Sequence, residues 1–286
     1  MRAQIEGSVA IPTSASQART ALASARPGTL RAGQGHGEPL VLLHGVTGSS
    51  HMWSRVLPLL APYHDVIAPS ALGHHRGPRA LVRPTRIEHV IDDAERFLDQ
   101  LGLDRVHLAG NSMGGWVALE LARRGRARSV CALSPAGAWV DDDQQQAARK
   151  LRAIVRQTRA GRWALPLLAR SASFRRWALR DTVVRGDQVS EHELLALADS
   201  LLACEVREDL FDTDESLAHL SASCPITLAW SGQDRIFPVD IFGTRARSLV
   251  PGAEFTVLEG VGHVPMLEAP ELVAQTILQT SARASA

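Results

Sequence analysis

A short apolar strand that runs directly into a helix is the sequence feature that most constrains this chain. The run covers residues 106–116 and reads VHLAGNSMGGW, so a Gly-x-Ser-x-Gly motif lies between the strand and a helix-like stretch. So tight a reversal leaves no room for side chains on its flanks, and Gly110 and Gly114 provide that room. Ser112 then lies at the tip of a strained turn with its hydroxyl raised from the sheet, which is the geometry that an attacking serine needs.

Short apolar segments alternate with helical patterns along most of the chain. Strands are predicted at 39–44, 64–69, 105–110, 129–134, 225–230 and 254–258. Helices are predicted at 85–101, 113–124 and 238–249 and from Pro270 onward. The first helix is amphipathic, and Thr85 and Glu88 have capping-box spacing at its start. Continuous apolar strands between helices are typical of a parallel sheet covered on both faces, so the sequence predicts an α/β fold with a mostly parallel central sheet flanked by helices.

The alternation stops after Ala136. Residues 138–218, which we call the lid segment, are helical and charge-rich and contain no strand candidate. An all-helical block inserted between two strands of one sheet is typical of a lid. The predicted division is therefore a flexible N-terminal tail over 1–25, a first part of the core over 26–137, the lid segment over 138–218 and a second part of the core over 219–286.

Composition excludes several classes of partner. The formal net charge is +1, which gives no reason to expect nucleic acid as a partner. The three cysteines lack metal-ligand spacing, and we expect no metal and no cofactor. No stretch approaches the roughly 18 apolar residues of a membrane span, and no apolar signal region opens the chain, so a cytoplasmic location is expected. The sequence does not indicate the oligomeric state.

Four chemical signals follow predicted strands. Residues 44–48 read HGVTG, and Ser112 lies in the tight turn described above. Asp234 lies in the run SGQDR just after strand 225–230, and His263 lies in the run GVGHVP just after strand 254–258. The carboxyl ends of parallel strands meet at one edge of a sheet, so these residues can converge although they are far apart in sequence.

Together these motifs resemble the α/β-hydrolase superfamily, in its serine-nucleophile branch with a helical cap, where the chain order is serine, acid, histidine. The resemblance covers nearly everything except the tail and the lid segment. It implies that Ser112 is the nucleophile, His263 its general base and Asp234 the acid that orients the imidazole. It also implies that the backbone N–H groups of Val46 and Met113 form the oxyanion hole.

The physical chemistry of these residue types agrees with those roles. A serine hydroxyl is a poor nucleophile until a neighbouring base removes its proton. Histidine suits that task because its pKa of roughly 6.5 leaves it neutral yet easily protonated at cellular pH. A carboxylate behind the imidazole fixes its tautomer, and preorganised N–H donors stabilise the negative charge that forms on the carbonyl oxygen.

Other residues compete for these roles. The acid could also be one of Asp141, Asp142 and Asp143, because some family members place it after the earlier strand, although the polar run favours a solvated loop. His44 is interpreted as a brace of the His-Gly turn, His107 as a satisfied sheet histidine and the His74-His75 pair as part of a loop. The lid segment also contains a basic stripe, which consists of Arg149, Arg152, Arg156 and Arg159. We interpret it as a solvated helix face that pairs with the acidic second half of the segment.

The resemblance leaves more than one reaction open. A serine nucleophile argues against the dehalogenase and epoxide-hydrolase branches, which attack with aspartate, and favours hydrolysis of a carboxylic ester of a small or medium apolar molecule. The branch that hydrolyses carbon–carbon bonds of vinylogous diketo acids is the alternative, with Arg175 or Arg176 as the arginine of its cap, but that branch has tryptophan where this chain has Val264. A non-catalytic ligand-binding protein is a third interpretation. Aromatic and aliphatic side chains are candidates for an apolar pocket under the lid: Trp116, Trp139, Trp163, Trp177, Phe174, Leu165 and Leu168.

Overall fold

A computed structural model of the chain describes residues 26–32, 37–140, 143–221 and 224–284. Within those residues the chain forms a sheet of seven strands. The strands are β1 (Leu30–Arg31), β2 (Pro39–Leu43), β3 (Asp65–Ala68), β4 (Val106–Asn111), β5 (Ala127–Leu133), β6 (Ile226–Ser231) and β7 (Glu254–Leu258). Their order across the sheet is β1-β3-β2-β4-β5-β6-β7, and neighbours are parallel except for β1 and β3. The predicted mostly parallel sheet is confirmed.

Helices flank this sheet. They are α1 (Leu57–Leu60), α2 (Ile87–Gln100), α3 (Met113–Arg123), α4 (Asp143–Gly161), α5 (Leu165–Leu168), α6 (Ala172–Ala178), α7 (Glu191–Ala203), α8 (Arg207–Phe211), α9 (Thr244–Leu249) and α10 (Pro270–Ala282). Short 3-10 turns occupy Ser50–Trp53, Gly186–Gln188 and Pro265–Leu267, and a π-helical turn, Val239–Gly243, precedes α9. Among the helices of the described residues, none combines the length and the apolar composition that crossing a bilayer requires.

The core lies on both faces of the sheet because the strands are apolar on both sides. In β4, Val106 and Leu108 pack into one buried cluster with α2 and α3. Ala109, the residue after Leu108, belongs to the cluster on the opposite face, which includes residues of α1 and α10. Full burial of one leucine contributes about 1.5–3 kcal/mol, so a strand buried on both faces is strongly held in register.

The strand order places two loops side by side. The chain passes from β2 to β3 on one side and then returns to β4 on the other side of β2. At such a switch point, the loops that follow the two central strands diverge and leave a crevice at the carboxyl edge of the sheet. The loops that follow β2 and β4 contain Gly45 and Ser112, so the topology brings the His-Gly loop beside the serine turn.

The lid segment contributes helices α4 to α8 between β5 and β6. Of its basic stripe, Arg152 forms ion pairs with the acidic second half, with Glu208 at 2.9 Å and with Asp212 at 2.7 Å. Arg162 of the same segment pairs with Asp199 at 2.6 Å. The predicted tail over residues 1–25 lies outside the described residues, and the other predicted domain boundaries stay predictions.

One local prediction was wrong, and one strand was missed. Thr85 does not cap α2: its hydroxyl donates to the Val82 carbonyl, and its N–H donates to Asp209 at 2.7 Å. The first N–H of the helix, that of Ile87, instead donates to the Glu215 carboxylate at 2.8 Å. The capping box lies one residue further along than predicted: Arg86 precedes the helix and its N–H donates to Nδ1 of His89 at 3.0 Å. The antiparallel edge strand β1 was also missed, because two residues are too few to carry a pattern.

Candidate active site

The turn between β4 and α3 holds Ser112 in a conformation that few side chains adopt. Its φ is 55° and its ψ is −118°, which costs of order 1–3 kcal/mol and persists only where surrounding contacts enforce it. A Cβ on Gly110 would lie 2.1 Å from the Gly114 carbonyl oxygen, and a Cβ on Gly114 would lie 2.1 Å from that of Leu43. The two glycines are therefore required by close backbone approach, as the sequence predicted.

The predicted oxyanion donors lie at the edges of this turn. Met113 is the first residue of α3, and Val46 lies in the loop after β2. Neither N–H donates a backbone hydrogen bond in the part of the chain that the structure describes. Both residues line a cavity beside Ser112. The dipole of α3 adds positive potential at its N-terminus, where Met113 lies.

His44 holds the loop that carries Val46. Its Nε2 accepts a hydrogen bond from the Ala71 N–H at 2.9 Å, so the ring proton is on Nδ1, which donates to the Gly45 carbonyl oxygen at 2.8 Å. Burial, together with the neighbouring His74, lowers the pKa of His44 to about 3. A neutral ring with one donor and one acceptor thus braces the loop, in agreement with its interpretation from the sequence.

Asp234 and His263 are joined at the carboxyl edge of the sheet. The Nδ1 of His263 lies 2.7 Å from Oδ2 of Asp234, and both side chains are buried. The other carboxylate oxygen, Oδ1, accepts the N–H groups of Ile236 at 2.8 Å and Phe237 at 2.7 Å. Because an ionised carboxylate only accepts hydrogen bonds, Nδ1 of the ring is the donor, and Nε2 is left able to take a proton.

The structure brings Ser112 and His263 to the same cavity without joining them. Both line a cavity of about 330 Å³. Among the described residues, the hydrogen bond recorded for the His263 ring is the one to Asp234. Catalytic hydrogen bonds often form only when substrate is bound, so this arrangement is compatible with proton transfer from the serine.

Two further residues hold the histidine loop, and the sequence motifs did not identify them. The side-chain amide of Asn111 donates to the His263 carbonyl at 2.8 Å and to the Leu133 carbonyl at 3.2 Å, so it links the loop to the serine turn. The fully buried carboxylate of Glu268 accepts the N–H groups of Gly262 at 2.7 Å, Val184 at 3.0 Å and Arg185 at 2.7 Å. A single acidic residue within the apolar run VPMLEAP was the signal available in the sequence.

Two cavities meet at Ser112. The larger is lined mainly by apolar residues of α4, α5, α6 and α7, and of the predicted pocket residues it contains Trp177, Phe174, Leu165 and Leu168. The smaller, of about 50 Å³, contains Trp116 and Trp139. The indole of Trp163 is 88% exposed and lines neither cavity, so its assignment to the pocket was wrong.

The competing residues lie elsewhere. Asp143 pairs with Arg245, and the other two acidic candidates, Asp141 and Asp142, lie outside the described residues. His107 is satisfied by Ser129 at 2.8 Å and by Glu38 at 2.9 Å. His74 donates to the Leu72 carbonyl at 2.9 Å, and within the described ranges no group of His, Cys, Asp and Glu residues has the arrangement of a metal site.

The two arginines proposed for a carbon–carbon hydrolase lie within the lid segment. Arg175 donates to the carbonyl oxygens of Ala169, Arg170 and Asp187. Arg176 pairs with the Asp187 carboxylate at 2.9 Å. Neither lines a cavity beside Ser112.

Comparison with known proteins identifies relatives in sequence and in fold. The model described as "Alpha/beta hydrolase family" matches residues 40–276. The chain is 36% identical over 203 residues to epoxide hydrolase EphH of Mycobacterium tuberculosis, covering 65% of this chain and 90% of that protein. It is 27% identical over 258 residues to carboxylesterase YbfK of Bacillus subtilis, covering 84% and 78%. The solved 2-hydroxy-6-oxo-6-phenylhexa-2,4-dienoate hydrolase of Rhodococcus sp. strain RHA1 superposes with a TM-score of 0.68 at 21% identity, covering 89% of this chain and 94% of that one, and is similar in fold.

Proposed function

This chain belongs to the alpha/beta hydrolase family, and from that premise we propose that it is a serine hydrolase that cleaves a carboxylic ester of a small or medium apolar molecule. The observation that carries the proposal is the buried hydrogen bond of 2.7 Å between His263 Nδ1 and Asp234 Oδ2, beside a cavity that the ring shares with Ser112. A carboxylate hydrogen-bonded to a histidine, and that histidine beside the serine, are the two groups that activate such a nucleophile.

In the first half of the reaction, Oγ of Ser112 attacks the ester carbonyl carbon while Nε2 of His263 takes the hydroxyl proton. The carbonyl electron pair moves to the oxygen, where the N–H groups of Val46 and Met113 stabilise the charge. One such donor is worth about 2.7–4 kcal/mol of barrier. The carbon–oxygen bond to the alcohol then breaks, the alcohol oxygen takes the proton from Nε2, and an acyl-serine ester remains.

The second half repeats these steps with water. Nε2 of His263 takes a proton from a water molecule whose oxygen attacks the acyl carbon. The bond to Oγ of Ser112 then breaks, and the serine oxygen takes the proton back from Nε2. The carboxylic acid leaves, and the enzyme returns to its starting state. Asp234 remains an anion throughout and stabilises the imidazolium in both halves.

A serine at position 112 favours an ester over an epoxide, although EphH is named as an epoxide hydrolase. Attack by a serine oxygen on an epoxide carbon would form an ether. An ether has no carbonyl carbon for water to attack, so the enzyme would be consumed after one turnover. An acyl-serine ester, in contrast, is released by the same histidine that helped to form it.

Cleavage of a carbon–carbon bond in a diketo acid has less support. Such a substrate carries a carboxylate, and burying that charge requires a partner. The residues described as lining the larger cavity include no arginine or lysine. Its apolar lining instead favours a neutral substrate.

A fluorophosphonate probe tests the proposal. It forms a covalent bond only with an activated serine, so we expect the wild type to be labelled and Ser112→Ala to remain unlabelled. Hydrolysis of p-nitrophenyl esters is expected to fall by about 10⁴-fold or more in that variant. If folded wild type takes up no label, or cleaves a vinylogous diketo acid but no ester, the proposal is wrong.

A further inference from the structure

Ser112 lies at the junction of the two cavities, and this position orients any ester that it attacks. The serine and Val46 line both cavities. The carbonyl carbon of a bound ester carries two substituents, the acyl chain and the alcohol. Since the carbonyl oxygen is directed to the oxyanion donors, each substituent must enter one of the two cavities.

The remaining groups distinguish the two cavities. His263 and Asn111 line the larger cavity and not the smaller one. Met113, whose N–H is an oxyanion donor, and Phe237 line the smaller cavity and not the larger one. The histidine ring is therefore presented to the larger cavity, while the N-terminus of α3 closes the smaller one.

The leaving oxygen must lie next to the general acid. When the tetrahedral intermediate collapses, the alcohol oxygen takes its proton from Nε2 of His263, and a general acid acts within about 2.6–3.2 Å. The alcohol therefore occupies the larger cavity, and the acyl chain enters the smaller one. We infer that the natural substrates are esters of a short acyl chain with a bulky apolar alcohol; this inference rests on the function proposed above.

The cavity sizes give the scale of this preference. A group of the size of a water molecule requires roughly 10–15 Å³ of such space. The smaller cavity, of about 50 Å³, then holds about three to five non-hydrogen atoms. The larger, of about 330 Å³, holds more than twenty. An acetyl to butyryl chain fits the first, and an aryl-alkyl or medium-length alkyl alcohol fits the second.

Pairs of isomeric esters test this assignment. Hexyl acetate and ethyl hexanoate have the same formula and similar intrinsic reactivity, and so do 2-phenylethyl acetate and ethyl phenylacetate. We expect kcat/KM of the wild type to be higher for the acetate of each pair by about tenfold or more, because a misfit of even one methylene costs about that much. Equal rates or a preference for the ethyl esters would overturn the inference.

Two alanines provide a matched pair of variants. Ala148 of α4 lines only the smaller cavity, and Ala198 of α7 lines only the larger one; both are buried. Ala148→Leu narrows the smaller cavity, so we expect it to lower the ratio of kcat/KM for hexyl butyrate to that for hexyl acetate by about tenfold. Ala198→Leu narrows the larger cavity, so we expect it to lower the ratio of kcat/KM for hexyl acetate to that for ethyl acetate by a similar factor. The exchanged pattern, or equal effects of both variants on both ratios, would overturn the assignment.

Fluorophosphonate labelling separates this inference from the proposed function. A labelled enzyme that prefers the ethyl esters, or that hydrolyses neither isomer of either pair, is a serine hydrolase with a different substrate, so only the inference fails. A folded enzyme that takes up no label contradicts the proposed function itself. Thermal melts show which leucine variants fold, and the isomer comparison in the wild type remains decisive if either does not.

Discussion

Replacement of Asp234 by asparagine tests how the candidate site fixes the proton of its histidine. The substitution preserves size and removes the charge. Oδ1 of Asp234 accepts two backbone N–H groups, those of Ile236 and Phe237, and Oδ2 accepts the ring Nδ1–H of His263. An amide has only one oxygen, so the variant cannot satisfy both sides.

The magnitude follows from these contacts. If the amide nitrogen faced the backbone, two buried N–H donors would lose their acceptor, at about 1–3 kcal/mol each, or about 2–6 kcal/mol in total. The amide oxygen therefore stays with the backbone, and the amide NH₂ faces Nδ1 of His263. That nitrogen must then be the acceptor, so the ring proton moves to Nε2, and the ring cannot take a proton from Ser112. Since 1.36 kcal/mol is a factor of ten, we expect kcat/KM to fall by about 30-fold to 3 × 10⁴-fold.

The assay is hydrolysis of p-nitrophenyl acetate, with circular dichroism to show that Asp234→Asn folds. Asp240→Asn is the matched control, because Asp240 is an exposed residue of the adjacent π-helical turn and should retain wild-type activity. Folded Asp234→Asn with kcat/KM within a factor of about three of wild type would refute the reasoning, because the tautomer would then not depend on this carboxylate.

Two other perturbations have consequences that can be calculated from the contacts. In Glu268→Gln, the side-chain NH₂ faces at least one of the three backbone N–H groups that the carboxylate accepts, so we expect the free energy of unfolding in urea to fall by about 2–5 kcal/mol and kcat to fall as well. The control Glu259→Gln, at an exposed residue, should change neither quantity. An unchanged free energy of unfolding for Glu268→Gln would contradict the role of this carboxylate as a buried acceptor. The pKa of His44 is lowered to about 3 from 6.5, so as pH falls below 6.5 the unfolded chain binds a proton that the folded one does not, and stability is lost between pH 6.5 and about 3. Between pH 7 and pH 4.5, the free energy of unfolding of the wild type should therefore fall by about 2 kcal/mol more than that of His44→Asn, as measured by urea titration at the two pH values. Equal decreases in the two proteins would show that His44 is not the group responsible.

The sequence predicted the central strands well because their signal is local. Each is a continuous apolar run that ends at glycine, proline or a polar turn, and the observed bounds lie within a few residues of the predicted ones. The start of α2 could not be predicted in the same way. The N–H of Ile87 donates to Glu215, which lies 128 residues further along the chain, and the N–H of Arg86 donates to the ring of His89. A partner so distant in sequence leaves no local pattern, and histidine is not the Glu or Gln that marks the third helical position of a capping box.

In the candidate site, too, the features that have a local sequence pattern could be predicted and the others could not. That Ser112, Asp234 and His263 meet at one edge could be predicted, because each follows a strand within a short motif and parallel strands bring their ends together. The pocket could not be predicted, because aromatic residues of the lid segment have the same local pattern whether they face the cavity or solvent. Trp177 lines the larger cavity, whereas Trp163 is 88% exposed. Only the packing of helices against one another distinguishes them.

The core and the lid segment contribute different parts of this site. The residues proposed to carry the reaction lie in loops of the sheet, whereas most of the wall of the larger cavity comes from α4 to α7. Substitutions in that wall change its shape without touching the hydrogen bonds of Asp234. The lid segment contacts the loop that carries His263 where Glu268 accepts the N–H groups of Val184 and Arg185, and where Val264 donates to the Thr182 carbonyl at 2.9 Å. Changes in the lid that spare residues 182–185 therefore alter which ester fits, while changes within them also move the loop that carries His263.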